Sequence, residues 1–135
     1  MNVSKVLLVD DDLTVNYFHK RLLQSFFDKD KIETCINGKQ AIELLTNMKE
    51  THDKEDHVII LLDLNMPVMN GWEFLAEFHY LKAELKFSTT IYIVTSSLNP
   101  EDKNTCLSNV DVKKYLSKPL SKDDIELIIS LLREK

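Results

Sequence analysis

The stretch Val58-Ile59-Ile60-Leu61-Leu62-Asp63-Leu64-Asn65-Met66-Pro67-Val68-Met69-Asn70-Gly71 decides the fold. Its first five residues are apolar without interruption, too short a run for a membrane span, and read as a strand buried on both faces. The run ends on a carboxylate, Asp63, and passes into a loop marked by Pro67 and Asn70-Gly71. In an open α/β sheet, ligands bind beyond the carboxyl ends of the strands, so an acid here sits where chemistry is done. Asp is also common in turns, and Asp63 alone does not exceed that ordinary explanation. A second apolar run, Ser4-Lys5-Val6-Leu7-Leu8-Val9, ends in the same manner on Asp10-Asp11-Asp12. The repetition favours a site.

Outward from these two strands the chain alternates strand and helix signals. Asp12 or Thr14 opens a helix whose apolar positions Val15, Phe18, Leu22 and Phe26 recur at three- and four-residue steps, leaving His19, Lys20 and Arg21 to solvent. Residues 32–36 read as a short strand, Asn37-Gly38 as a turn, and 39–48 as a helix with Ala41, Ile42, Leu45 and Met48 inward. Residues 50–57 form a polar connector. A third helix spans 71–86, with Phe74, Leu75, Phe78, Leu81 and Leu85 inward, and a fourth strand spans 90–94, closed by Thr95-Ser96-Ser97. Asn99-Pro100-Glu101-Asp102 is a helix start, with a cap residue, proline in the first turn and acids at the positive end of the dipole. That helix is expected to end near Ser108. Residues 114–117 form a fifth strand, Lys118-Pro119 follows, and Ser121 caps a last helix with Ile125, Ile128, Ile129 and Leu132 on its apolar side. Five β-α repeats predict an α/β fold, a doubly wound five-stranded parallel sheet with helices on both faces. Residues 1–135 are read as a single domain with no output domain attached.

Composition bounds the function. A net charge of −5 argues against nucleic acid as a direct partner, because phosphate backbones need a basic face. No apolar run approaches the roughly 20 residues of a membrane helix, and no secretory leader is visible. Cys35 and Cys106 stand apart, without metal-ligand spacing or a disulfide framework, so they read as reduced packing residues of a cytoplasmic protein. His19, His52, His57 and His79 lack a supporting motif and read as surface residues.

The strand ends carry the chemistry. Strand one delivers Asp10, Asp11 and Asp12, strand three Asp63, strand four Thr95 and Ser96, and strand five Lys118. Parallel strands bring all of these to one edge. Two carboxylates about 4 Å apart repel by roughly 4 kcal/mol at an effective dielectric near 20. One lysine does not offset several such acids, and a hard divalent cation is the natural complement. Carboxylate, carbonyl and water oxygens make a Mg²⁺ set, with Mn²⁺ as the alternative ion. Open magnesium sites serve phosphoryl groups, whose remaining oxygens a Thr95 hydroxyl and the Lys118 ammonium would hold.

At this point the residues resemble the receiver domain of two-component response regulators, over essentially the whole chain. The text that carries the resemblance is Val6-Leu7-Leu8-Val9-Asp10-Asp11-Asp12, then 61–71, then Val94-Thr95-Ser96-Ser97, then Tyr115-Leu116-Ser117-Lys118-Pro119. The wording of 71–75 and 96–103 is similar to stand-alone, single-domain members. The resemblance implies a flavodoxin-like (βα)5 fold with strand order 2-1-3-4-5. It implies that Asp63 is the phosphoacceptor, in a Mg²⁺-dependent reaction with a phosphohistidine on a sensor histidine kinase or a histidine phosphotransfer protein. Asp10, Asp11 and Asp63 would hold the metal together with the backbone carbonyl of Asn65. Thr95 and Tyr115 would be the switch residues, and Lys118 would pair with the phosphoryl group. The side chains of Asn65 and Ser97 would set the phosphoryl lifetime. Pro119 matches a residue that follows a cis peptide. A downstream protein would dock on the fourth helix, fifth strand and fifth helix; the sequence leaves a homodimer open. The only catalysis implied is the domain's own phosphorylation and dephosphorylation. Two departures stand out: Ser108-Asn109-Val110-Asp111 replaces a frequent Gly-Ala, and Leu120 stands where an aromatic is frequent. Asp12 has no family role and reads as a helix cap.

The rival reading is a haloacid-dehalogenase-type phosphatase, because Asp10-Asp11-Asp12-Leu13-Thr14 also fits a D-x-D-x-T motif. Asp10 would then be the nucleophile and Asp12 the acid/base. That reading leaves Asp63 and its loop unexplained. A receiver-like module without chemistry ranks lower still, since every residue the chemistry needs is present.

Overall fold

A computed structural model describes residues 2–133. Five strands, β1 (Asn2–Val9), β2 (Ile32–Cys35), β3 (Asp56–Leu62), β4 (Ser88–Thr95) and β5 (Val112–Ser117), alternate with five helices. The helices are α1 (Leu13–Leu23), α2 (Gly38–Asn47), α3 (Gly71–Leu81), α4 (Pro100–Ser108) and α5 (Lys122–Leu132). All strand pairs are parallel, in the order β2-β1-β3-β4-β5. This is the expected doubly wound sheet.

The two-residue period of β3 explains the layering. Val58, Ile60 and Leu62 join a cluster with Ala41, Leu45, Phe74, Leu75, Phe78 and Cys106, so α2, α3 and α4 cover that face. Ile59 and Leu61 join Leu23, Ile125 and Ile128, so α1 and α5 cover the other. An unbroken apolar run from Val58 to Leu62 is what burial on both faces demands. The expected 50–57 connector is shorter than read, since a 3-10 turn at Met48–Glu50 extends α2 and β3 already begins at Asp56. The helix expected to reach residue 86 closes at Leu81 into a 3-10 turn, Lys82–Glu84, because the chain must enter β4 at Ser88 to pair with His57.

Two readings are corrected at α1. Its buried residues are Asn16, His19 and Leu23, whereas Phe18 is 53% exposed. The inward face is therefore turned one step from the apolar stripe, and His19 is a core residue. His57, also read as a surface residue, is buried at the start of β3, its Nε2 2.7 Å from Thr90 Oγ1. Asp12 does cap α1, accepting from the N–H groups of Thr14 and Val15. The Ser108–Asp111 turn is closed by Asn109 Oδ1, which accepts from Asp111 N at 2.8 Å, and Asp111 pairs at 2.7 Å with Lys82 in the 3-10 turn after α3.

Candidate functional site

Register alone brings two acids together. Val9 of β1 lies beside Leu62 of β3, so the next residues, Asp10 and Asp63, emerge as neighbours at the carboxyl edge. Asp63 N donates to Val9 O and Asp10 N to Cys35 O, both at 2.9 Å, fixing each backbone one residue past its strand. Carboxylate oxygens of Asp10, Asp11 and Asp63 lie within 4.8 Å of one another. Asp10 and Asp63 are buried, and Asp11 is exposed on the solvent side.

The loop after β3 is held by a close approach of backbones. Gly71 N donates to Leu64 O at 2.9 Å, and a Cβ at Gly71 would stand 2.4 Å from Asp63 O and 2.8 Å from Leu64 Cα. Glycine is required there because both obstacles are main chain. Met69 N donates to Pro67 O at 2.7 Å around Val68, whose φ is 68°. That is a γ-turn on a β-branched residue, a strained conformation at the mouth of the site. Asn70 then starts α3 with a capping box to Glu73.

Lys118 closes the constellation. Its ammonium donates to Asp10 Oδ2 at 2.7 Å and to Asp63 Oδ2 at 3.2 Å, with the side chain 15% exposed. The Lys118–Pro119 peptide is cis, as the resemblance implies. Burial works against the charged lysine, but the hydrogen bonds and charges of Asp10 and Asp63 outweigh it and hold its pKa above the ordinary value. Asp63 is pushed up, first by burial and then by the Asp10 charge, with Lys118 and Leu64 N opposing. Three acids against one ammonium leave the rim short of positive charge. An all-oxygen donor set with one member open to water fits a hard divalent ion.

Thr95, fully buried, accepts from Ser97 N at 3.2 Å through its hydroxyl. The Tyr115 hydroxyl donates to Ser97 O at 3.5 Å, and the Ser97 hydroxyl donates to Asp102 Oδ2 of α4 at 2.7 Å. Thr95, Tyr115 and α4 thus converge on one residue, Ser97. The Asn65 side chain is exposed at the rim. Asp10, Asp11, Asp63 and Lys118 are brought together; Thr95 and Tyr115 meet at Ser97 instead.

Two residues of α1 take a part that the sequence does not assign them, Asn16 unmentioned there and His19 read as a surface residue. Asn16 Nδ2 donates to Asp10 O at 2.7 Å, and His19 Nε2 accepts from Leu120 N at 3.0 Å. Both bond to main-chain atoms, so no pattern of side chains in the sequence signals them.

The acids assigned to a phosphatase are otherwise occupied. Asp12 caps α1, and Asp10 accepts from Asp12 N through Oδ1 and from Lys118 through Oδ2.

A family model described as "Response regulator receiver domain" matches residues 6–130. The chain is 29% identical over 133 residues to the probable methanogenesis regulatory protein FilR2 of Methanothrix harundinacea, covering 96% of this chain and 81% of that one. It is 32% identical over 122 residues to the nitrate/nitrite response regulator protein NarL of Escherichia coli, covering 90% of this chain and 51% of NarL. A two-component response regulator structure from Cytophaga hutchinsonii superposes with a TM-score of 0.80 at 29% identity, covering 99% of this chain and 100% of that one.

Proposed function

The chain belongs to the response regulator receiver domain family, and from that premise we propose that it accepts a phosphoryl group on Asp63 from a partner phosphohistidine. The observation that carries the reading is the buried Asp63 carboxylate, set beside Asp10 and under the Lys118 ammonium at the sheet's carboxyl edge. An Asp63 oxygen attacks phosphorus, the O–P bond forms as the N–P bond breaks, and the imidazole leaves with the electron pair and takes up a proton. Such transfers need positioning and charge neutralisation more than covalent help. Asp10, Asp11, Asp63 and the Asn65 carbonyl would hold Mg²⁺, which supplies positive charge to the phosphoryl oxygens when bound. Lys118 neutralises a further oxygen. Thr95 leaves Ser97 N for the phosphoryl group, and the Tyr115 hydroxyl follows, changing the face of α4, β5 and α5 on which a downstream protein docks. Asn65 borders the path of the water that later hydrolyses the acyl phosphate, and Ser97 sets the lifetime through its hold on Asp102. Residues 1–135 act as one domain, without turnover of an external substrate.

Phosphotransfer profiling against the host's sensor kinases tests this. One kinase or phosphotransfer protein should label the wild type rapidly and leave Asp63→Asn unlabelled. Equal labelling of both proteins rejects the assignment.

A further inference from the structure

α1 carries two inward polar side chains, and each holds a different loop of the site. Asn16 donates to the Asp10 carbonyl in the loop after β1. His19 reaches across the sheet edge to the loop after β5, accepting Leu120 N–H on Nε2 at 3.0 Å. His19 is 2% exposed and Leu120 also 2%. A buried polar pair in a position that would otherwise take an apolar residue calls for a physical reason.

The backbone of that loop supplies one. Lys118 N donates to Thr95 O at 3.0 Å, and Pro119 has no N–H. Leu120 N donates to His19, and Ser121 N donates to Asp124 Oδ2 at 2.9 Å. The loop is thus tied to β4 before the proline and to α1 just after it. An ammonium on a flexible four-carbon stem takes its position from the backbone that carries it. That backbone must place Lys118 Nζ within 2.7 Å of Asp10 Oδ2 and 3.2 Å of Asp63 Oδ2 at once. Without an acceptor at residue 19, the buried Leu120 N–H loses its partner, and the segment moves to find another.

We propose that His19 is a positioning residue for Lys118: by accepting Leu120 N–H it fixes the loop that holds the ammonium over the acceptor carboxylate. The acceptor role requires the neutral ring with its proton on Nδ1, and burial, by holding the pKa of His19 below the ordinary value, favours that form. The inference rests on the phosphoacceptor reading of Asp63 and deepens it. Nothing in it requires His19 to touch the phosphoryl group.

Two substitutions separate the acceptor from the bulk. Gln presents Oε1 the same number of bonds from Cα as Nε2 of histidine, whereas Leu fills the space without an acceptor. The rate of Asp63 phosphorylation by acetyl phosphate at saturating Mg²⁺ should fall by about tenfold or more in His19→Leu, the scale of a misplaced catalytic group. His19→Gln should recover most of that rate. Mg²⁺ affinity by titration calorimetry should change by less than about twofold in His19→Leu, and that substitution should cost nothing further in a Lys118→Ala background. A wild-type rate in His19→Leu, equal losses in Leu and Gln, or the same fold loss with and without Lys118 overturns the proposal. If the wild type takes no phosphate on Asp63, the phosphoacceptor reading is what fails. The hydrogen bond itself is read separately in the unaltered protein by NMR, as an unprotonated Nε2 with a through-bond coupling to Leu120 N. Absence of that coupling overturns the inference whatever the kinetics show.

Discussion

A carboxylate buried beside another carboxylate is held there at a cost in stability, and Asp63 is such a group. Burial and Asp10 both push its pKa up, and Lys118 relieves only part of the strain. The folded protein therefore binds a proton at Asp63 more readily than the unfolded chain, and without metal the ionised form costs stability above the ordinary value of 3.8. Asp63→Asn should accordingly stabilise the metal-free protein, by about 1 kcal/mol or a few degrees in Tm. Mg²⁺ should reverse the order, because an ion at about a hundred times its Kd adds roughly 2.7 kcal/mol to the protein that binds it. Thermal unfolding of both proteins in chelator and in Mg²⁺ checks this; a destabilised Asp63→Asn in chelator contradicts it. At this scale the acids and Lys118 were legible because strand ends are legible and charged residues there have few other uses. Asn16 and His19 were not, since their partners are a backbone carbonyl and a backbone N–H, which no side-chain pattern displays.

Elements were legible in proportion to how purely burial shaped them. β3 is apolar without interruption from Val58 to Leu62 and could be read directly there, whereas α1 offered a stripe through Phe18 that the fold leaves exposed. The fully buried face of α1 is polar at Asn16 and His19, where it borders the site, and apolar at Leu23, while Leu22 is only partly buried against the same core, so hydrophobic periodicity pointed one step to the side. The loop between β3 and α3 allows a paired test. Gly71→Ala drives a Cβ into the backbone of Asp63 and Leu64, and should cost about 2–4 kcal/mol while slowing phosphorylation. Val68→Gly, which removes a β-branched residue from a φ of 68°, should instead stabilise by about 0.5–1 kcal/mol. Urea unfolding of the two variants decides the matter; a neutral Gly71→Ala would show that the loop is free to move.

Across the whole molecule, parallel topology gathers residues from four strand ends on one rim while burying two histidines elsewhere in the layers. Burial holds both His19 and His57 below the ordinary value of 6.5. The unfolded chain takes up protons on these rings near pH 6.5, whereas the folded protein does so only at lower pH. Unfolding thus takes up protons below pH 6.5, and stability falls as pH drops through that window. Asp63 acts in the opposite sense, so a variant is needed to isolate the histidine share. The urea midpoint of the wild type should fall further between pH 7.5 and 5.5 than that of His57→Gln, which keeps a partner for Thr90 without a titrating ring. Parallel curves would mean that His57 titrates alike in the folded and the unfolded chain, against the effect of its burial. The order of strands and the two-layer core followed from the alternation of elements, while the placement of polar groups inside the layers required coordinates.

The most direct measurement is to map the phosphorylated residue after exposure to a small phosphodonor, with and without Mg²⁺, by mass spectrometry of the peptides bearing residues 10 and 63. Phosphate on Asp63 alone, formed only with the metal and lost in Asp63→Asn, is the predicted result. Phosphate on Asp10, or labelling of Asp63 indifferent to Mg²⁺, would contradict a rim where a bound cation lets one buried carboxylate accept the group.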